Sequence, residues 1–420
     1  MISNKKGHTG FRIISLLLAR VFYSANWFNI ASIFFLIALD FKQDISMLGL
    51  VTASFIIGVG IFQVPAGLLA ARYGAAKIAV IGILIASFCA LLTGISYTIS
   101  QIAILRFIVG VGMACFFGPS VILISQYLGN RSEGLGIGLI NSAHAIGGII
   151  GVFGWVILAQ HFGWRTSLIV GGGLGLMTGI ILIFSALPPN PIIRTKKRIN
   201  PSQDAANDPY AATRSAEVRD GISLLGLRRA IFNKSLVILG LTLLSFQAGS
   251  SIILTFVVYY LVGDMKMDLA TAGFIGSLNL IIALLFSPVF GRLYDRTKKA
   301  KRILIISGLA AALSIGGMSV PSVYVIVPSM TISAVFLSAG FVIVYAEAKR
   351  TSIAQRFDPN YQTLAVSFVN GISLFGAFWI PVLFSLSVDR IGFSYAWIVG
   401  SLIVLIFVLP AFKLKKEMAK

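Results

Sequence analysis

The chain has 420 residues, of which 57% are hydrophobic and only 11% charged, and its mean hydropathy is +0.92. An average soluble domain carries about 25% charged residues, so a water-soluble globule is excluded, as are a disordered or collagen-like chain. The net charge of +20 does not point to nucleic acid, because its distribution along the chain follows the positive-inside bias of membrane proteins.

An apolar run of about 20 residues crosses a bilayer as a helix. Twelve such spans are expected, at 13–39, 46–71, 78–97, 100–128, 134–160, 166–187, 235–262, 269–293, 303–320, 322–346, 363–388 and 393–412. Backbone groups in lipid must be satisfied internally, so the fold class is an all-α polytopic membrane protein. The first run is too long for a cleavable signal sequence and is expected to remain as a span. With the N-terminus inside, about 28 of the 34 lysines and arginines fall in inner segments. The outer loops hold Lys42, Arg165, Lys266 and Arg390. Both termini are therefore expected in the cytoplasm, with the chain multi-pass in the plasma membrane. Short loops suit a prokaryotic host.

The chain divides into a first half at 1–187, a polar central loop at 188–234 and a second half at 235–420. The loop opens with Pro188, Pro189 and Pro191 and a basic cluster, Arg194, Lys196, Lys197 and Arg198, and reads as a flexible linker. Its end, 221–232, reads either as an amphipathic helix at the membrane surface or as a plain basic flank. The halves repeat at an offset of about 224 residues. Asp40-x-Lys42-x-Asp44 returns as Asp264-x-Lys266-x-Asp268, Gly49 falls on Gly273, Gly147 on Gly371 and Trp155 on Trp379.

Polar residues inside lipid are costly and tend to face a cavity or a partner helix. They are Arg20, Asn26 and Asn29 in span 1, Gln63 in span 2, Arg106 and Gln126 in span 4, and Asn141, His144 and Gln160 in span 5. Span 7 has Gln247, span 8 Asn279 and span 11 Asn370, and Glu347 ends span 10. Every third span is apolar throughout, as suits peripheral supports. Arg20 and Arg106 lie roughly 10–12 Å inside their span ends. No acid lies in the middle of any span to neutralise them. An isolated arginine there costs about 2.5–3.5 kcal/mol on insertion scales. Each therefore either attracts an anion or is satisfied by backbone carbonyls. Tyr23, Trp27 and Ile30 share a face with Arg20, which suits an organic ligand or a packing seam equally. His144 is either a proton carrier or a neutral histidine bonded to a neighbouring helix.

Twelve spans, a central loop and a duplicated half resemble the major facilitator superfamily, and local motifs agree. The family's G-x-L-x-D-R-x-G-R-[RK] loop appears as Gly67-Leu-Leu-Ala-Ala71-Arg72-Tyr-Gly74-Ala75-Ala-Lys77, with alanine in place of the aspartate. The second copy, Gly291-Arg-Leu-Tyr-Asp295-Arg296, keeps it. The R-x-x-x-G-x-G motif stands at Arg106-Phe-Ile-Val-Gly110-Val-Gly112, and Gly163-Trp164-Arg165 is a further familiar feature. The resemblance implies two pseudo-symmetric six-helix halves that rock about a midplane site. It also implies a cytoplasmic gate at Gly67, Arg72, Gly74, Gly291, Asp295 and Arg296, and a helix 4 arginine that couples substrate or protons; Glu347, beside Lys349 and Arg350 at the inner end of span 10, reads as a gate ion pair rather than a cavity proton site.

The expected activity is secondary transport of a small organic anion with a coupling proton, by a monomer in the lipid bilayer. Arg106, Arg20, Tyr23, Asn26, Trp27, His144, Gln247, Asn279 and Asn370 are the candidate substrate or coupling residues. No cofactor, metal or nucleic acid is expected. Around Arg106 the chain is loosely similar to the family's anion–cation symporters, with Met113 where those often have glutamate. An exporter of amphipathic or cationic compounds is the alternative, although no mid-span acid supports it. A polytopic enzyme or sensor is the reading from another class; no HExxH, Walker or acidic metal motif is present.

Overall fold

The computed structural model describes residues 2–128, 133–186, 233–354 and 359–414. The 188–232 part of the expected linker, with its surface helix, lies outside the described residues, as do Arg131 and Arg356. The first half is built from α1 (Ile2–Phe41), α2 (Ile45–Tyr73), α3 (Ala75–Thr93), α4 (Ile99–Leu128), α5 (Glu133–Ile149), α6 (Trp155–Phe162) and α7 (Trp164–Ala186). A π-turn at Ile150–Gly154 joins α5 to α6, so these form one span. The second half holds α8 (Lys234–Gly263), α9 (Leu269–Thr297), α10 (Ala300–Gly317), α11 (Val323–Ala354), α12 (Pro359–Ala377) and α13 (Ile380–Val408).

The last apolar stretch, Phe368–Lys413, runs for 46 residues. At 1.5 Å per residue that is about 69 Å, more than twice the hydrocarbon thickness of about 30 Å. It is two spans, because Gly392 takes φ 76° and ψ 167° inside α13 and reverses the chain. The all-helical fold of two six-helix halves is therefore the one expected. The far end of the bundle carries the 42–44, 163 and 264–268 connections. The opposite, basic end carries Arg12, Arg72, Lys77, Arg296, Lys298 and Lys299.

The repeat is written into the backbone as well as the sequence. Lys42 and Lys266 both adopt positive φ, at 52° and 56°, in the matching Asp-x-Lys-x-Asp turns. Gly74 and Lys298, again 224 residues apart in register, take φ 97° and 51°. Gly163, at φ 83° and ψ 156°, matches Gly392 in conformation. L-residues avoid positive φ unless a turn demands it, so shared positive-φ positions mark shared turn geometry.

Helices in lipid gain little from apolar burial against each other and rely on close packing. The R-x-x-x-G-x-G motif shows how. A Cβ on Gly110 would meet the Phe55 carbonyl of α2, and one on Gly112 would meet Ala86 N and Gly82 O of α3, both at 2.6 Å. Two glycines two residues apart thus seat α4 against two different neighbours. The apolar spans α3, α7 and α10 pack within their own halves.

Packing contacts join the halves from the far end to mid-depth. Tyr259 lies against Phe34 and Phe35, and Phe153 against Phe274, at 5.7 Å between ring centroids. The repeat-related Gly49 and Gly273 each admit the opposite half. Gly49 faces Ser385 and the Pro381 carbonyl, and Gly273 faces Val156. Towards the basic end the packing is open: a Cβ on Gly67 would meet nothing within 4 Å, and one on Gly291 would meet only Val342 of its own half. Gly49→Val should hold the far ends apart. Leu48, fully buried beside it, gives the readout. With Cys89 and Cys115 removed, a Leu48→Cys thiol should react with a hydrophilic maleimide in the Gly49→Val background and stay protected with Gly49. Equal protection in both would contradict the seal.

Candidate functional site

The site begins at the seam between α1 and α5. Ser24 Oγ donates to the His144 carbonyl at 2.6 Å, Trp155 Nε1 to the Ala25 carbonyl at 3.0 Å and Ser32 Oγ to the Gly151 carbonyl at 2.9 Å. Gly147 and Gly151 make room: a side chain there would meet the Val21 or Ala25 carbonyl. The π-turn, Ile150–Gly154, follows the tight approach at Gly147 and includes Gly151, adding a residue to one turn. The seam holds His144 against the polar and aromatic face of α1.

Around His144 the rings of Tyr23, Trp27 and Phe28 stand at centroid distances of 6.4, 6.5 and 6.0 Å. Tyr23 also lies 5.8 Å from Trp27 and 5.4 Å from Phe116. Arg20 places its guanidinium carbon 4.3 Å from the Tyr23 ring and 4.9 Å from that of Phe117. It is 3% exposed, yet its Nε and Nη1 have no hydrogen-bond partner, and neither has His144 Nδ1. Two ring contacts offer about 2 kcal/mol each when desolvated. Two unmet buried donors cost about 1–3 kcal/mol each, and more when charged. The rings and a side-chain bond to Tyr23 hold the guanidinium in place, while Nε and Nη1 stay unmet.

Arg106 is placed differently. Its Nη1 donates to the Asn26 carbonyl at 2.9 Å and to Asn29 Oδ1 at 3.3 Å, and its Nη2 to the Trp27 carbonyl at 3.0 Å. Its guanidinium also stacks 4.3 Å from Phe55, leaving Nε unpartnered. Asn26 donates its Nδ2 to the Gly171 carbonyl of α7 at 3.1 Å, and its Oδ1 accepts from Asn29 Nδ2 at 3.3 Å. Arg106 and Asn26 thus tie α1 to α4 and α7, beyond the Trp27–Phe55 pair from Arg20. Ile30, expected on the Arg20 face, is buried in the core cluster that reaches the far end.

In the second half, Asn370 accepts from the Tyr345 hydroxyl at 2.8 Å. Asn279 is buried with its Nδ2 unpartnered, and Gln247 is half-buried. The neighbour of Asn279, Leu280, approaches Gly148, beside Phe28, which brings α9 to the histidine side of the site. The expected gate residues are not brought together. Arg72 packs over Tyr73, Asp295 pairs with Lys298 at 3.1 Å, and Gly67, Gly74, Gly291 and Arg296 stay with their own halves. Glu347 does meet Arg350, at 3.6 Å, and also accepts from the Tyr294 hydroxyl at 2.5 Å. At the far end, Asp40 accepts from Trp164 Nε1 and pairs with Arg165, which gives the Gly-Trp-Arg motif its local role.

Sequence reasoning does not single out Phe28, Phe55, Phe116, Phe117, Tyr294 or Tyr345. Phe117 stands eleven residues after Arg106 on α4, three helical turns on the same face, so that spacing is a usable signal.

With this geometry in view, comparison with known proteins gives a consistent result. The family description Major Facilitator Superfamily matches residues 16–349 and again 239–419. The chain belongs to the Major Facilitator Superfamily and is a membrane transporter of that family rather than an enzyme. Among similar proteins, a 4-hydroxybenzoate transporter of Pseudomonas aeruginosa is 26% identical over 354 residues, covering 80% of this chain and 77% of its own. A gallate transporter of Pseudomonas putida is 24% identical, covering 80% and 76%. A bacterial homolog of the human lysosomal transporter Spinster, solved in an inward-facing and unoccupied conformation, superposes with a TM-score of 0.73 at 15% identity, covering 96% of each chain.

The two arginines should separate in a stability measurement. Arg106→Gln should cost about 1.5–3 kcal/mol through lost charged hydrogen bonds, seen as a lower unfolding midpoint in detergent. Arg20→Gln should leave the midpoint unchanged or raised, since it removes buried donors without partners. Equal losses would refute the distinction.

Proposed function

We propose that the protein moves a small aromatic carboxylate across the plasma membrane, together with a proton, by alternating access. The observation that carries this reading is the Arg20 guanidinium, buried among Tyr23, Phe117 and the neighbouring rings with two donors unmet. A carboxylate supplies the acceptor and the opposite charge. An aromatic ring suits the stacking partners Tyr23, Trp27 and Phe116. The names of two relatives, transporters of 4-hydroxybenzoate and of gallate, support the same class. A site for lipophilic cations needs an acid where Arg20 stands.

Arg20 contacts the anion, and Arg106 positions α1. Asn279, Gln247 and Asn370 supply polar groups from the second half. The basic end is cytoplasmic by the positive-inside rule, so the contacts sealing the far end leave the site facing the cytoplasm. The gate loops meet only in the opposite state.

Binding to purified protein tests this directly. Benzoate and 4-hydroxybenzoate should raise the unfolding midpoint, and neutral benzamide should not. Arg20→Gln should weaken benzoate at least about tenfold, the equivalent of about 1.4 kcal/mol. Benzamide binding as well as benzoate, or undiminished binding to Arg20→Gln, would overturn the assignment.

A further inference from the structure

Holding an anion needs Arg20 but does not need a titratable neighbour, and the site has one. His144 is the histidine in the middle of a span, His161 standing at a span end, and its Nδ1 is buried without a partner. It shares the Tyr23 ring with Arg20: the histidine centroid is 6.4 Å from that ring and the guanidinium carbon 4.3 Å. The α1–α5 seam fixes the backbone beneath it through the Ser24 bond. From α1, the groups facing it are Arg20 and Tyr23. From α4, Arg106 lies across the Trp27–Phe55 pair and is bonded to α1 carbonyls. From α9, the titratable residues Arg292, Tyr294, Asp295 and Arg296 lie at the basic end, away from Leu280, the α9 residue that reaches Gly148. His161 of α6 is at the far end. No carboxylate of the chain lies in mid-span.

We infer that His144 carries the coupling proton, taking it up on its ring when a carboxylate binds at Arg20 and releasing it when the carboxylate leaves. This rests on the proposed anion site. The physical reason is charge. Two cations sharing one tyrosine ring repel each other, and an anion between them removes that repulsion. Anion and proton therefore favour each other's binding, and by linkage the effect is reciprocal. The charge of the site stays constant as well. Empty, it holds Arg20 alone. Loaded, it holds Arg20, one carboxylate and one proton, again a single positive charge. The carrier then reorients with the same charge in both states, and the cycle moves one anion and one proton without net charge. A histidine performs this where other sites would need a membrane-embedded acid.

The test is benzoate affinity of the purified full chain between about pH 8 and about pH 5.5, where benzoate stays ionised. Affinity of the parent protein should rise as pH falls, by up to about tenfold per pH unit. His144→Asn should bind benzoate with no such slope. In vesicles, that variant should exchange benzoate for benzoate but fail to accumulate it under a pH gradient. The chain has three histidines, so histidine-labelled NMR of the parent protein reads the same event without a substitution. One resonance, lost in His144→Asn, should move towards the imidazolium position when benzoate is added. Binding without a pH slope, a slope retained in His144→Asn, or a His144 resonance indifferent to benzoate would overturn the inference while leaving the anion site standing. No binding of benzoate at any pH would remove both.

Discussion

A guanidinium inside an apolar bundle must be met by something, and here no acid is available to meet it. The chain's acidic residues all fall at span ends or in loops. The two membrane arginines resolve this constraint in opposite ways. Arg106 is met from within, by carbonyls at Asn26 and Trp27 that its reach across from α4 makes available. Arg20 has rings on its faces and no acceptor for two of its donors. The first arrangement builds the protein. The second leaves charge and hydrogen-bonding capacity unmet, and this difference is the ground for proposing Arg20 as the arginine that meets substrate.

Close packing turns that constraint into a defined site. Glycines at 147 and 151 bring α5 onto α1, and Ser24, Ala25 and Ser32 lock the two together. A π-turn interrupts the helix at this contact, and the repeat-related stretch of the second half is interrupted as well, between Ala377 and Ile380. The repeat preserves this backbone but not its chemistry. At the position matching Tyr23 the second half has Gln247, and it has no mid-span arginine. The proposed anion site is thus one-sided. The first half holds the charge, while α9 closes on it through Leu280 against Gly148, beside Phe28. In the proposed cycle, such an arrangement would let one half grip the ligand while the other moves.

Much of the fold is legible in the sequence because membrane spans are set by a coarse property. Apolar length marks the spans, and the Asp-x-Lys-x-Asp turns mark the repeat, whose Lys42 and Lys266 share positive φ. The last pair of spans needs the Gly392 reversal to separate them, and the sequence boundary at 388–393 lies there. The site is legible as a set of residue types but not as a set of roles. Depth along a helix places Arg20 and Arg106 equally inside lipid, and only the neighbour across the interface tells which has carbonyls within reach. Asn26 stands out for its polarity, but its partner Gly171 lies 145 residues away. The proposed gate residues come from a motif whose two copies would meet in one conformation of the proposed cycle and separate in the other. A sequence encodes both states and does not say which is seen.

The most direct measurement is an experimental structure of the protein with 4-iodobenzoate, located by the anomalous scattering of iodine. The carboxylate should lie on Arg20 Nε and Nη1, with the iodinated ring among Tyr23, Trp27 and Phe116. An iodobenzoate bound at Arg106, or held wholly by the second half with Arg20 untouched, would contradict the one-sided anion site.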